Sequence, residues 1–479
     1  MIARSMSCRR ANADARRLYQ ELLLKNPGDP DAWYGLGDAW FHDDKESLPL
    51  RFTESMRAFK RALELDPGYA LAFEHVNFIL GRASRQNPMW VLLPNDSISF
   101  VYGDKERRLV DSSATRDAVQ RARAEAIRLA RDWANLQPAT AKAHEALLAA
   151  LIAAQDYTGA GSEVARFRAV VPNHPELPFD DARIRFASGD APRAARQLGV
   201  SIDSLTPEDL RPISGATDAA ERLVIAANML AYQGNVGQAA KLIDLANRVR
   251  FGDPAAGSAA ANERDAWNWR MQGELYAAVG VPTAGMRRIW QSAAEASRSV
   301  APEKRAKYLA AGGAAAVGLL TSATPDESAV NEMQAMGGPQ PAKEVRALMA
   351  LENNDKAGAR KALAEPDTAM VSMKGPQYLV FRRPLAAQAY YLLGDYERAL
   401  KLLEGYDAPD LNADQFDMRW GIVGRVRLLR GAVYEKLGRP DDAREQYKLA
   451  LAQWSQADPD LQVFVQEAQQ KLAQLQERS

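Results

Sequence analysis

A short pattern of aromatic, glycine and alanine residues recurs along this chain, and it constrains the fold more than any other feature. In its clearest copies a Trp, a Gly and a Tyr lie at helical spacing, and a second stretch follows with Ala four residues before an aromatic residue. Two helices cross closely only where small side chains face each other, so each copy predicts one antiparallel helix pair. The residues that we assign to these repeat positions are Trp33, Gly37, Phe59, Pro67, Trp269, Gly273, Tyr276, Gly394, Ala399, Gly431, Tyr434 and Ala443.

The length of the chain, 479 residues, fits a stack of such pairs better than a single globule. Single hydrophobic cores stop growing beyond roughly 250 to 300 residues. In a repeat array each unit packs only on its neighbours, so this limit does not apply. We therefore predict an all-α solenoid of about ten antiparallel helix pairs, some of them degenerate, with an irregular insertion near 81–113.

Three strings, LGDAW, GDYERAL and GAVYEKLGRPDDAREQY, resemble the tetratricopeptide repeat (TPR) family, and this resemblance covers most of the chain. It implies a right-handed superhelix of helix pairs that binds other proteins. The strings AHEALLAAL and LAQWSQADPDLQ, in that order, are similar to the C-terminal repeat region of bacterial multidomain signalling proteins. In those proteins such arrays follow serine/threonine kinase, adenylate cyclase or DNA-binding transcriptional activator domains, and no motif of those domains occurs in these residues.

Breaks in the repeat pattern divide the chain into five predicted segments. They are N-terminal TPR units that begin mid-repeat (1–80), an insertion loop or short hairpin (81–113), TPR-like units (114–200), central TPR-like units with connectors (201–364), and C-terminal TPR units with a terminal helix (365–479). Residues 12–27 have the pattern of a second helix, but too few residues precede them for a complete first helix. Either the protein begins upstream of Met1, or a frayed terminal helix caps the array.

The insertion is too long for a repeat turn, since loops beyond about 12 to 15 residues are usually functional or disordered. Ile98, Phe100 and Tyr102 alternate with other residues and precede a Gly-Asp turn signal, so a short β-hairpin with Leu109 and Val110 is one interpretation. The interpretation that we favour is an ordered loop that covers exposed core. Its covering side chains would be Trp90, Leu92 and Phe100.

Charge and cysteine content exclude several kinds of partner and site. The chain has 61 Lys plus Arg and 61 Asp plus Glu, so no net charge attracts nucleic acid or an anionic membrane. The single Cys8 rules out an intramolecular disulfide or a Cys-based metal cluster within one chain. The longest apolar run, 309–320, is shorter than the roughly 18 to 20 residues of a membrane span. We expect no nucleic-acid partner, no membrane span, and a cytoplasmic location unless an upstream membrane-anchored domain places the chain outside the cytoplasm.

No group of residues in the sequence predicts catalysis, a metal centre or a cofactor. His144 begins a string similar to a zinc-protease helix, but Leu148 stands where a second histidine must bind the metal. His42, His75 and His174 have no ligand-like spacing, and we interpret each as a surface or packing residue. We expect no enzyme activity, no metal and no cofactor.

In TPR proteins the first helices line a concave groove, and the resemblance implies which positions face it. They lie two residues before, one after and five after each Trp-type position. The candidate groove residues are Asp31, Tyr34, Asp38, Trp267, Arg270, Glu274, Phe381, Pro384 and Gln388. Aromatic residues beside charges suit peptide capture. The alternative, to which we give equal weight, is that these aromatic residues belong to the core.

TPR domains that bind chaperone C-termini hold the terminal carboxylate with a Lys and Asn pair. The corresponding positions in this chain are Tyr34/Asp38, Glu145/Ala149, Val224/Asn228 and Arg270/Glu274. No such clamp is visible, so we expect weak or no binding of C-terminal carboxylate peptides.

The sequence therefore predicts a non-catalytic scaffold that binds a peptide or partner protein in a concave groove. It would be free-standing or the C-terminal regulatory or docking arm of a bacterial signalling protein. Two alternatives stay open. One is an RNA-binding helical-repeat protein, against which the balanced charge counts, and the other is an enzyme with a site in the insertion, for which no residue constellation is visible.

Overall fold

A computed structural model describes residues 12–43, 45–84, 90–101, 112–202, 205–211, 216–280, 343–365, 376–407 and 420–477, with five single residues between these ranges. These residues form nineteen α-helices and one two-stranded hairpin, which confirms the prediction of an all-α repeat solenoid. No described helix is both long enough and apolar enough to cross a membrane. The described residues fall into two compact units, the first centred on Met1–Ser188 and the second beginning at Gly189. The predicted division into five segments stays a prediction.

The first unit is a row of helices in which each packs against the next along the chain. Its elements are α1 (Asn12–Lys25), α2 (Pro30–Phe41), α3 (Leu48–Leu65), α4 (Ala70–Ala83), β1 (Trp90–Leu92), β2 (Ile98–Phe100), α5 (Ser112–Leu136), α6 (Ala141–Ala153), α7 (Tyr157–Val170) and α8 (Leu177–Ala187). Helices α2, α4, α6 and α8 are the first helices of successive repeats. Neighbours in this series touch each other, so they share one face of the unit.

Small side chains at the helix crossings explain why the repeat positions carry the residues that they do. A Cβ added to Gly37 would lie 2.6 Å from the Phe59 ring, and one added to Gly431 would lie 2.5 Å from the Tyr447 ring. Phe59, Ala399 and Ala443 are fully buried. Gly273 is also buried, Pro67 and Gly394 lie in turns, and the half-buried repeat residues are Trp33, Trp269, Tyr276 and Tyr434.

The insertion contains the hairpin that we held as the second interpretation, but with a different partner strand. Strand β2 pairs antiparallel with the upstream strand β1, with Trp90 opposite Phe100 and Leu92 opposite Ile98. Residues 102–111, including the partner strand expected at Leu109 and Val110, lie outside the described residues. The sequence argument missed the turn at residues 93–97, in which Asp96 has a φ of 58°. Trp90 and Leu92 are buried in the core, as the loop interpretation expected.

The hairpin is attached to α3, the second helix of the preceding repeat. The hydroxyl of Thr53 accepts a hydrogen bond from the Ile98 backbone N–H at 2.8 Å, and the Trp90 ring lies 5.2 Å from the ring of Phe52. Lys60 forms an ion pair with Asp96 at 2.8 Å. The insertion therefore extends the hydrophobic core beside α3 instead of lying as a free loop over it.

The second unit has the same kind of helix pairs. Its elements are α9 (Ala191–Ile202), α10 (Ala216–Tyr232), α11 (Val236–Phe251), α12 (Ala259–Val279), α13 (Lys343–Glu352), α14 (Lys356–Ala364), α15 (Pro376–Leu393), α16 (Tyr396–Leu402), α17 (Ile422–Lys436), α18 (Pro440–Gln453) and α19 (Gln462–Glu477). Two short 3₁₀ helices, Glu208–Leu210 and Pro459–Leu461, lie between these elements.

The second unit also closes on itself. Asn228 in α10 accepts a hydrogen bond from the backbone N–H of Trp420 at 3.2 Å, across 192 residues of sequence. The side-chain amide of Gln453 donates to the carbonyl of Tyr232 at 2.7 Å. Asp458 accepts from the backbone N–H of Gly237 at 2.7 Å, across 221 residues. An open repeat array brings together only sequence neighbours, so the repeat pattern could not predict these contacts.

Candidate functional site

Helix α2 carries an aromatic side chain and two carboxylates that lie beside the start of α4. The ring of Tyr34 lies 5.6 Å from that of Phe59, 5.3 Å from that of Tyr69 and 5.8 Å from that of His75. Asp31 accepts a hydrogen bond from the Tyr69 hydroxyl at 2.5 Å. We call Asp31, Tyr34, Asp38, Tyr69 and His75 the Tyr34 patch.

The positions of the patch on its helices follow from local sequence. Asp29 caps α2 by accepting a hydrogen bond from the Ala32 N–H at 3.2 Å, and Pro30 takes the first helical position, where its missing N–H costs nothing. Because side chains four residues apart lie on one face of a helix, Tyr34 and Asp38 point the same way. Tyr34 and Asp38 are both half-buried, whereas Asp31 is exposed.

Two histidines that the sequence argument treated as unrelated lie beside Asp38. Its Oδ1 is 3.4 Å from Nε2 of His42 and 3.6 Å from Nε2 of His75. His75 does pack in the core, since its ring lies 4.7 Å from that of Phe59 and 4.9 Å from that of Phe41. One nitrogen or oxygen atom from each of Asp38, His42 and His75 lies within 4.8 Å of the others.

Sequence spacing hid this cluster because the two histidines belong to different repeats. His42 ends α2 and His75 lies in α4, so only the stacking of one repeat on the next brings them together. The signal that could have found them is the i, i+4 spacing of Asp38 and His42, combined with the rule that first helices of neighbouring repeats touch.

Charged pairs continue along the face of the first helices. Lys142 in α6 lies 3.4 Å from Glu74 in α4, and Arg183 in α8 lies 2.5 Å from Glu145 in α6. The Arg183–Glu145 pair is largely buried. Glu145, which stands at a position that corresponds to a residue of the carboxylate clamp, is therefore already paired within the chain. These pairs link each first helix to the next.

The candidate groove residues of the second unit do not form a comparable surface. Trp267 is only 4 % exposed and packs its ring 6.0 Å from that of Phe251, as the alternative that this aromatic residue belongs to the core expects. Arg270 and Glu274 pair with each other at 3.1 Å with little exposure. The guanidinium of Arg250 on α11 also lies 6.0 Å from the Trp267 ring.

The third predicted group, on α15, is described only in part. Gln388 and Pro384 are half-buried, and the Phe381 side chain lies outside the described residues. This group stays a prediction. Of the three candidate groups, the structure therefore brings together one, on α2.

Comparison with known proteins supports the tetratricopeptide resemblance in one part of the chain. Residues 9–70 match a family model described as tetratricopeptide repeat. The matched region includes α1, α2 and α3, and with them Asp31, Tyr34 and Asp38. No curated protein sequence matches the chain significantly.

Two solved structures that match this chain share little sequence identity with it. A structure of Naa15/Naa10 bound to HypK-THB is 14 % identical, at a TM-score of 0.26; the alignment covers 100 % of this chain and 65 % of that one. The crystal structure of the P58(IPK) TPR domain is 11 % identical, at a TM-score of 0.20, with 99 % and 97 % covered. At such low TM-scores neither likeness carries an argument about the shape, partners or activity of this chain.

Proposed function

We propose that this protein is a non-catalytic scaffold that binds a segment of another protein across the Tyr34 patch. The observation that carries the proposal is a half-buried aromatic ring, held by neighbouring rings and flanked by two carboxylates, in the region that matches the TPR family. Aromatic anchors supply much of the binding energy of protein interfaces.

The chemistry of the patch indicates what kind of segment it would bind. Phe59 and Tyr69 restrict the Tyr34 ring, so little side-chain entropy is lost when a partner covers it. Asp31 and Asp38 add negative charge beside the ring. The complementary segment has an apolar or aromatic side chain next to Lys or Arg, because interface potentials are arranged to be complementary.

The ion pairs between first helices support the same proposal. Glu74–Lys142 and Glu145–Arg183 join α4, α6 and α8 into one face before any partner arrives. A pre-organised face lowers the entropic cost of binding. With Tyr34 and Asp38 at the positions of a clamp Lys and Asn, a free C-terminal carboxylate would meet negative charge instead of positive.

We propose further that the partner belongs to a bacterial signalling system, with this array as a docking or regulatory arm. Only the resemblance of AHEALLAAL and LAQWSQADPDLQ to the repeat regions of such proteins supports this finer proposal.

Site-specific photocrosslinking in cells tests the proposed binding face. A benzophenone amino acid replaces Leu71, a 39 % exposed residue four positions before His75 on α4, and in a matched control replaces Leu136, 53 % exposed at the end of α5. We expect a discrete crosslinked protein from position 71 that is absent from position 136. The charge reversal Asp31→Lys, on an exposed residue, should abolish the crosslink without unfolding the chain.

Two results would refute the proposal. Equal crosslinking from both positions, or crosslinking insensitive to Asp31→Lys, would mean that the patch does not select the partner. A nuclease-sensitive crosslinked product would instead favour the RNA-binding alternative.

A further inference from the structure

We propose that Asp38, His42 and His75 form a binding site for a divalent transition-metal ion such as Zn²⁺. One candidate ligand atom from each residue lies within 4.8 Å of the others. With Zn–ligand bonds of about 2.0 to 2.1 Å, neighbouring ligand atoms of a tetrahedral site lie about 3.3 Å apart. The two separations from Asp38 Oδ1, 3.4 Å and 3.6 Å, are close to that value.

The hydrogen bond of His75 on its far side fixes which ring nitrogen faces the site. Nδ1 lies 2.8 Å from the backbone carbonyl of Leu71, and because a carbonyl only accepts, Nδ1 must carry the proton. In the neutral ring the lone pair is therefore on Nε2, which faces Asp38. Histidines that bind metals usually donate their other N–H to a carbonyl or carboxylate in this way.

Two acceptors then face each other across 3.6 Å, the Nε2 lone pair of His75 and the carboxylate of Asp38. Burial lowers the pKa of His75, and the hydrogen bond with Leu71 and the charge of Asp38 only partly offset it.

His42 can complete the site because its backbone is fixed while its side chain is free to adjust. The Asn12 side chain donates to the His42 carbonyl at 2.9 Å. Arg16, on α1, pairs with Asp43 and with Glu46, the latter at 3.2 Å, and so holds the turn after α2. The His42 side chain itself is 55 % exposed, so a small rotation can bring its Nε2 to the ion.

The ligand set indicates the class of metal. Two imidazoles and one carboxylate favour Zn²⁺ and related first-row ions over Mg²⁺ and Ca²⁺, which prefer all-oxygen ligands. Three protein ligands leave one tetrahedral position for water or for a donor group from outside the chain.

Calorimetric titration of the full chain with Zn²⁺ tests the site, in a Cys8→Ser background so that the single thiol cannot bind the metal. We expect one Zn²⁺ per chain and no competition from Mg²⁺. His42→Ala and Asp38→Asn should each weaken binding by at least about tenfold. The matched control His174→Gln changes a histidine of the same unit outside the cluster, and should leave binding unchanged. Absorption of bound Co²⁺ should change in the His42→Ala protein as well.

Several outcomes would overturn the proposal. They are the absence of saturable binding, loss of binding in Cys8→Ser alone, and an equal effect of His174→Gln. His42 is exposed, so its replacement cannot act by unfolding the core, and it decides the question even if His75→Ala proves insoluble. A rise in the thermal midpoint on adding Zn²⁺, lost in His42→Ala, would support a bridge between α2 and α4.

Discussion

Gly37 and Gly431 set the distance at which helices cross in their repeats. In each case an aromatic ring of the second helix lies where a methyl group would otherwise be, 2.6 Å or less from the position of an added Cβ. Packed interiors respond to a change of even one methylene group. Gly81, by contrast, lies in α4 with nothing within 4 Å of an added Cβ.

The two kinds of glycine should respond oppositely to the same substitution. We expect Gly37→Ala to lower the free energy of unfolding by about 1 to 3 kcal/mol, because the Phe59 ring must move. Gly81→Ala should raise it by a few tenths to about 1 kcal/mol, because Ala is the better helix former. Urea denaturation followed by circular dichroism measures both, and equal shifts for the two variants would mean that the crossing at Gly37 is misassigned.

The buried carboxylate of Glu163 in α7 makes stability depend on pH. Burial alone would raise the pKa of Glu163, but hydrogen bonds from His144 and Arg166 and the charge of Arg166 outweigh it, so its pKa lies below the ordinary value of 4.5. The folded chain therefore holds Glu163 ionised more readily than the unfolded chain does. The resulting stabilisation is present above pH 4.5 and is lost as the pH falls through the folded-state pKa.

Glu163→Gln removes this charge while keeping the shape of the side chain. At pH 7 we expect a loss of about 1.5 to 3 kcal/mol, the range for hydrogen bonds to charged groups. The difference between the native protein and the variant should shrink as the pH is lowered below 4.5, where Glu163 becomes protonated. A difference that stays constant in urea denaturation series at pH 7 and at acidic pH would contradict this account.

Several turns between the two helices of a pair have the same backbone conformation and the same hydrogen bond. In five of them a residue of positive φ is followed by Asp, Asn or Arg, whose N–H returns to a carbonyl five residues earlier, as in Asp395 to Tyr390 at 2.9 Å. The positive-φ residues of these turns are Gln155, Gly234, Asn354, Gly394 and Gly438. In three of these turns the following residue, Asp156, Asp355 or Asp395, also caps the next helix.

Gln155 offers a test of this turn, since it is exposed and has a φ of 63°. A left-handed conformation costs a residue with a Cβ roughly 1 to 2 kcal/mol, and Gly avoids that cost but loses more entropy on folding. We expect Gln155→Gly to raise the free energy of unfolding by about 0.5 to 1 kcal/mol. The control Gln155→Ala should give no gain, and thermal denaturation of the two variants distinguishes them. Equal midpoints would show that the turn is not strained.

These elements also show what the sequence could and could not predict. Gly394-Asp395 is readable as a helix stop and start because both residues act within one turn. Trp267 packs against Phe251 and Arg250 of α11, contacts that the groove positions implied by the resemblance do not predict. The proximity of His42 and His75 was missed because it depends on how one repeat packs against the next.

Closure of the second unit gives one helix a cap from the far end of the chain. The residue before α11, Asn235, makes no side-chain cap, and the Asp458 carboxylate accepts from the Gly237 N–H in its place. The backbone N–H of Asp458 also donates to the Gly234 carbonyl at 3.0 Å. An added Cβ on Gly234 would lie 2.7 Å from that of Ala457, so the two segments fit only without it.

Removing the distant cap should therefore destabilise the first turn of α11. We expect Asp458→Ala to lower stability by about 0.5 to 2 kcal/mol, as for other N-caps, and to speed hydrogen exchange of the Gly237 amide. Asp460→Ala, on an exposed carboxylate of the same loop, is the matched control and should change neither. Unchanged exchange at Gly237 in Asp458→Ala would mean that the contact contributes nothing to the cap.

The cap from Asp458 has a consequence for how such a chain can evolve. An open array can gain or lose a helix pair by duplication or deletion, because only the two flanking interfaces must be remade. In the second unit a duplication between α11 and α17 would shift Asp458 away from Gly237 and separate Trp420 from Asn228. Closure thus fixes the number of repeats between the two ends of the second unit. Gain or loss of a whole repeat should therefore destabilise the first unit less than the second.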